Sequence, residues 1–503
     1  MHVVRLLLKT TTSDERELEK RFYAISHIHN VLVKHARTLI KRLRHDPDYT
    51  IYYREYTDLL KSAQTSDKAR KKELSRLMND IRISMGLSEY SFQKYIKVCA
   101  SRYKKLISSQ QVQKEASRVW TGVEKVLFSD GRELHFKKQE NFHTIGGKSN
   151  LNGARFDPAR FCVEWTGLHL PCVMPRKQDS VSYIAEALND DISYCDIERK
   201  MFPNGWHYYV IIVLKGDAPR KYDHIKDDGI TGIDIGVSTV AAVSQNTMHL
   251  NELAPECRKY NKQIDKLLYR MDISRRNSNP HRYNPDGTIN KAIKGRWICS
   301  KTYIKNRQRL RSLYRQKAEY INQSHERLVN DLIKESTKFI VEDMTFKGLQ
   351  RRSKKIQRSE KLSPVKSKHG TRMIAKYQRR KRFGRSLNNR APAKFLMILE
   401  RKATQYGGYL QKVDTRSFRA SQYDHVDDTY TKVPLNQRIK KVGGHIIQRD
   451  LYSAFLLQHS NLNLKTVNRA SCTSDFENFV AIHNDLINRM KAEHVTMKQC
   501  FGF

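Results

Sequence analysis

Three carboxylates in this chain stand where carboxylates are costly. Asp234 lies inside Thr231-Gly232-Ile233-Asp234-Ile235-Gly236-Val237-Ser238-Thr239-Val240-Ala241-Ala242-Val243, an apolar, β-branched run with the composition of a buried strand. Glu342 sits at the end of a second short run, Lys338-Phe339-Ile340-Val341-Glu342-Asp343. Asp450 heads an apolar helical stretch, Arg449-Asp450-Leu451-Tyr452-Ser453-Ala454-Phe455-Leu456-Leu457. A buried carboxylate must be hydrogen-bonded or hold a cation. One such acid alone is as readily a satisfied strand-end residue as a ligand. Three, each at the edge of a core element, can converge and hold two hard divalent cations, which activate water and stabilise the leaving oxygen of a phosphodiester. Gly236, two residues past Asp234, suits a bulge or a close approach of backbone to ligand.

The rest of the composition names a partner for such chemistry. The 503 residues predict two to four domains. Formal charge is +42, from 94 Lys and Arg against 52 Asp and Glu, and hydrophobic content of 39% is too high for a disordered polycation. The charge therefore coats folded domains, and its partner is a polyphosphate. A membrane surface is disfavoured, because no long apolar span or lipidation signal is present. Eight cysteines without a C-x-x-C pair, and an N-terminus too quickly polar for a signal peptide, lead to the expectation of a reduced, cytoplasmic protein.

With their flanks, the three acids resemble a known family. Gly232-Ile233-Asp234-Ile235-Gly236, Phe339-Ile340-Val341-Glu342-Asp343 and Arg449-Asp450-Leu451-Tyr452-Ser453-Ala454 look like the three split motifs of a RuvC nuclease. Their order and spacing are similar to those of TnpB, the RNA-guided nuclease of insertion sequences, and of the small type V CRISPR effectors. The resemblance spans about residues 229–458; relatives read closer to D-x-N-A-A at the third motif. It implies an α+β fold: an RNase H-like (RuvC) nuclease domain plus a β-barrel wedge domain with an inserted helical recognition bundle. The implied boundaries are 1–11 and 112–228 for the wedge, 12–111 for the recognition domain, and 229–414 and 446–503 for the nuclease. A zinc-ribbon-like insert would occupy 415–445.

Read in order, 2–10 is a strand, and Thr12-Ser13-Asp14-Glu15 offers a capping box to a helix whose face carries Leu18, Phe22, Ile25, Leu32, Ala36, Leu39 and Leu43, interrupted at His29. Ser66 can cap a helix bearing Leu74, Leu77, Ile81 and Met85, stopped by Gly86, and Phe92, Ile96, Cys99, Tyr103 and Leu106 mark another. Strands are expected from about 118, with hairpin turns at Asp130-Gly131 and Asn204-Gly205. Lys215–Gly229 reads as a linker. Residues 255–278 and 300–337 read as basic helices joined by a loop, and in the family such a hairpin lines the heteroduplex channel by phosphate contacts. Residues 351–390 hold 16 Lys and Arg against one Glu and read as a flexible basic loop that orders on nucleic acid. Its candidate contacts are Arg351, Arg352, Lys354, Lys355, Arg379, Arg380, Lys381 and Arg382. A helix over 391–406, a strand over 409–414 and a last helix from Ser474 to about Lys491 complete the expectation.

One part of the resemblance breaks. Many relatives carry two C-x-x-C pairs before the third motif, where this chain has Asp424, Asp427, Lys440 and Gly443. Lysine and glycine cannot replace thiolates, so no structural zinc is expected and the segment reads as a zinc-free remnant, with His425, Asp427 and His445 as a disfavoured metal-binding alternative. The implied activity is an Mg2+-dependent endodeoxyribonuclease with two ions (Mg2+ or Mn2+) held by Asp234, Glu342 and Asp450. Its partners would be a guide RNA and target double-stranded DNA recognised beside a short flanking motif, and its products a 5′-phosphate and a 3′-hydroxyl. Asp343 is read either as a support behind the metal ligands or as a strand-end cap. The competing expectations are an RNA-guided DNA binder without cleavage, and a guide-independent resolvase or transposase.

Overall fold

The computed structural model describes residues 1–62, 68–129, 131–202, 204–220, 229–285, 287–350, 358–367, 370–377, 383–434, 436–495 and 500–503. The fold is mixed α+β and divides into two units, Met1–Pro219 and Arg220–Phe503.

In the first unit, β1 (His2–Leu8) is followed by five helices: α1 (Thr12–His45), α2 (Pro47–Ser62), α3 (Lys68–Ser84), α4 (Glu89–Ala100) and α5 (Ser109–Phe128). Then come β2 (Thr144–Ile145), β3 (Arg155–Asp157), β4 (Cys162–Trp165), β5 (Leu168–Val173), α6 (Gln178–Ala187), β6 (Ile192–Phe202) and β7 (Gly205–Leu214). The first strand does belong to the later sheet, whose order is β2-β6-β7-β1-β5-β4-β3. That sheet is open, so the expected β-barrel is corrected: β1 meets β5 at Leu7↔Val173 and Leu8↔Cys172, with Lys9 N–H donating to Pro171 C=O, and β2 and β3 end the strand order without pairing to each other. Helices and sheet share one hydrophobic core.

The predicted apolar face of α1 is buried throughout, and its interruption is itself a buried pair, with His29 Nδ1 2.7 Å from Glu115 Oε1. The capping box forms one residue earlier than expected: Asp14 N–H donates to Thr11 Oγ1, and Thr11 N–H donates to the Asp14 carboxylate. Gly86 ends α3 at positive φ as predicted, while Ser66 lies outside the described residues. Of the hairpin expected at Asp130-Gly131, Asp130 lies outside the described residues, and the preceding arm, residues 126–128, is helical. Val112, Ala116, Val119, Trp120 and Val123 form a helical stripe that keeps the chain in α5 through Phe128. Gly131 N–H then donates back to Lys125 C=O, closing the helix rather than turning a ribbon. The second hairpin forms as predicted, with Phe202 paired to Gly205.

The second unit opens with β8 (Ile230–Ile235), β9 (Thr239–Val243) and β10 (Met248–Glu252), then the long helical pair α7 (Cys257–Ser278) and α8 (Lys301–Glu335). Next are β11 (Lys338–Glu342), α9 (Phe346–Leu349), β12 (Arg358–Ser367), β13 (Gly370–Tyr377), α10 (Gly384–Arg390), α11 (Pro392–Gln405), β14 (Tyr409–Val413) and α12 (Thr415–Phe418). Two small hairpins, β15 (Tyr423–Asp424) with β16 (Thr429–Tyr430) and β17 (Ile439–Val442) with β18 (His445–Gln448), lead to α13 (Arg449–Gln458) and α14 (Arg469–Ala492). The central sheet runs β10-β9-β8-β11-β14, with β8, β11 and β14 parallel. One face packs on α13 and α14 and the other on α8 and α11. The basic stretch 351–390, expected as a loop, contains an antiparallel ribbon, β12 with β13, and α10. The eight basic residues named as contacts lie outside the described residues. The final helix starts five residues earlier than predicted because Asn468 caps it.

Candidate active site

Strand alternation decides where the acids point. Ile233 and Ile235 of β8, with Phe339 and Val341 of β11, pack toward α8 and α11. Asp234 and Glu342, one residue out of phase, therefore face the α13 side. The parallel register pairs Ile340 with Gly232 and Val341 with Ile233, so the next step sets Glu342 beside Asp234 at the carboxyl ends of neighbouring strands. In open sheets with parallel strands, that end is where ligands bind.

Gly232 brings in the third acid. It lies two residues before Asp234 on the same face, and any Cβ there would collide with the backbone of Ala454, Leu457 and Gln458. Its bareness lets α13 lie directly on β8. Two strand residues rise about 6.7 Å and four helical residues about 6 Å, so Asp450, one turn before Ala454, arrives level with Asp234. The electrostatics agree. The Asp234 carboxyl is pushed well above the ordinary range by burial, then by the charges of Asp450 and Glu342, with Arg449 and Arg438 in partial relief. Burial also raises Glu342, against a backbone hydrogen bond from Ala420.

Sequence reasoning missed two cations. Arg438 Nη1 is 3.2 Å from Asp450 Oδ2, and Arg449 Nη2 is 3.2 Å from Asp450 Oδ1. Arg449 also donates to the carbonyls of Gln437 and Pro434, tying the preceding loop to the start of α13. Arg449 adjoins Asp450 and was visible in the motif; Arg438, twelve residues upstream, carries no local signal. Asp343 is exposed, and its N–H continues the ladder to Val413, leaving Glu342 as the acid of this strand that faces α13. Three carboxylates sharing one protein-lined space fit a divalent cation, which removes the cost of their mutual repulsion and of their desolvation.

The insert before α13 is held by hydrogen bonds, an ion pair and ring packing. Lys440 is buried with its Nζ 2.7 Å from Tyr423 O, 3.5 Å from Asp424 Oδ2 and 5.0 Å from the Tyr452 ring centre. The Tyr452 hydroxyl is 2.7 Å from His425 Nδ1. His425 packs against Phe476, as does His445. Lys440, Tyr452 and His425 thus form one packed unit.

On α7 and α8, Arg258, Lys262, Lys266, Lys305, Arg307 and Arg309 are exposed. No helix among the described residues is long and apolar enough to cross a membrane. No family profile and no curated protein sequence matches the chain. Among solved structures it is similar to a Cas12f1–sgRNA–target DNA complex (13% identity, TM-score 0.39, covering 89% of this chain and 86% of that one). It is also similar to a CRISPR-Cas12f ternary complex, at 13% identity and TM-score 0.26, covering 90% of this chain and 82% of that one.

Proposed function

We propose that this protein is an RNA-guided DNA endonuclease that hydrolyses phosphodiesters at Asp234, Glu342 and Asp450. The observation that carries the reading is the arrival of these three acids, from two parallel strands and a helix, at one end of one sheet. Divalent ions held there, Mg2+ or Mn2+, would polarise the phosphate and lower the pKa of water. Asp234 and Asp450 would hold the ions from the strand and the helix. Glu342, fixed by its bond from Ala420, would align the attacking water in line with the leaving 3′-oxygen, leaving a 5′-phosphate. Arg438, half-exposed beside Asp450, would offset phosphate charge once an ion replaces it on that carboxylate. Guide RNA and target DNA as partners rest on the motif resemblance and on the +42 charge.

One observation favours a second reading, a guided binder with weak cleavage: both guanidiniums already occupy Asp450. A single experiment separates the readings. The protein is purified with its native flanking DNA locus, bound RNA is sequenced, and the complex is challenged with Mg2+ and a plasmid library with randomised flanks. A discrete RNA and flank-dependent cutting that Asp234→Ala abolishes are expected. Flank-dependent binding without cutting makes it a binder; absence of any discrete RNA overturns guidance.

A further inference from the structure

The β3–β5 end of the first unit's sheet carries a group of side chains that phosphodiester chemistry does not use. Thr166 and Gly167, with φ of 36° and 78°, form the two-residue turn between β4 and β5. Positive φ at both positions marks the mirror-image turn that matches strand twist and fixes register. That register sets Glu164 opposite His169 and Cys162 opposite Pro171. Directly opposed and alternate residues share a face, so Cys162, Glu164 and His169 project together. The other face, with Val163, Trp165, Leu168 and Leu170, belongs to the core. Arg21, buried in α1, donates to the carbonyls of Trp165 and Thr166 at 3.3 and 2.7 Å and ties the turn down. The hairpin is a rigid mount.

On their shared face, one ligand-capable atom from each of the buried Cys162, the half-buried Glu164 and the exposed His169 lies within 4.8 Å of the others, and Cys162 Sγ is 3.7 Å from His169 Nδ1. Tetrahedral zinc, with Zn–S about 2.3 Å and Zn–N about 2.05 Å, separates those two atoms by about 3.6 Å. The gap already has the right width. Asp157 pairs with Cys162 from β3 and its charge reaches the thiol, while its Oδ1 accepts from the Ala159 and Arg160 N–H groups. A thiolate, an imidazole and a carboxylate select a borderline-soft ion and reject Mg2+, which takes oxygen. Two arginines compete for Glu164: Arg160 Nη1 is 3.3 Å from Oε1, and Arg155 pairs with Oε2. Both are exposed, and exposed ion pairs are weak enough for a dication to displace.

We propose that Cys162, Glu164 and His169 bind Zn2+ on the β4–β5 hairpin, with a water completing the tetrahedron. The site is distinct in ligands and in metal from the acids of the second unit. Binding forms the Zn–S bond and releases the thiol proton to solvent.

The test uses the full chain, free of any affinity tag, stripped by chelator and titrated with Co2+. Cobalt bound to a thiolate gives an intense near-ultraviolet charge-transfer band, with visible bands if tetrahedral; oxygen-only sites give neither. The expected result is one equivalent with both bands, displaced by Zn2+, lost in Cys162→Ser and unchanged in Asp234→Ala. His169→Gln, at an exposed position outside the core, should weaken Co2+ binding tenfold or more while leaving the circular dichroism spectrum intact. No thiolate band in the parent chain, or the same band in Cys162→Ser, overturns the proposal.

Discussion

Gly232→Ala is the sharpest perturbation this architecture offers, because it adds one methyl group at the contact that sets the distance between Asp234 and Asp450. The new Cβ would overlap the Ala454 carbonyl oxygen and the Gln458 nitrogen and stand 3.0 Å from the Leu457 carbonyl carbon. All three are backbone atoms, so no rotamer relieves the clash, and α13 must retreat by about 1 Å, a misplacement of the kind that costs about 10²-fold in rate. Overpacking of this kind costs about 1–3 kcal/mol in stability. The assay is cleavage of guide-matched plasmid in Mg2+, run beside a urea melt and RNA binding. A fall of about two orders of magnitude in rate with RNA binding retained is expected. Wild-type cutting with an unchanged melt would show that α13 does not rest on β8 at Gly232 and would sink the derivation of the site.

Three further outcomes follow from the same geometry. Asp424→Ala strands a buried ammonium at Lys440 and should cost about 3 kcal/mol in urea melts, while adding Lys440→Met should recover most of it; a single variant as stable as the parent refutes the pairing. His425, buried among aromatic rings, has its pKa pushed down to about 4 from 6.5. The unfolded chain therefore binds the proton first, and the stability present above pH 6.5 falls by up to about 1.4 kcal/mol per unit as pH drops toward 4; His425→Phe should flatten that limb of a pH-dependent melt, and an unaltered slope counts against it. Arg438→Ala removes a cation competing for Asp450, so Mg2+ should raise the melting temperature at several-fold lower concentration; an unchanged Mg2+ requirement would show that Arg438 does not guard that carboxylate.

What was legible in the residues was whatever a short stretch of chain decides. The helical spacing of Leu18 through Leu43, the glycine stop at Gly86 and the turn at Asn204-Gly205 are local, and each forms as expected. The three acids stood out because each breaks the apolar pattern of its own strand or helix, although their convergence depends on Gly232, whose role appears only once α13 lies on it. Failures came where two local signals competed or where distant segments meet. Val119, Val123 and Val126 satisfy a strand as well as a helix, and only packing of the α5 stripe against the shared core decides. The open sheet shows only in the strand order, where β2 and β3 stand at the two ends without pairing to each other. Lys440 reads as a lost ligand in sequence, and its compensation by Asp424, Tyr423 and Tyr452 needs three segments brought together.

The glycine contact also has a mechanical consequence. Asp234 and Glu342 are jaws of one casting, locked at fixed separation by hydrogen bonds between β8 and β11. Asp450 rides on a separate rod seated on a bare track, and that rod is continuous in sequence with the two hairpins before it and packed against α14 behind it. A load carried by those flanking parts therefore reaches the three acids as a movement of α13 over β8, which displaces Asp450 while the spacing of Asp234 and Glu342 stays set.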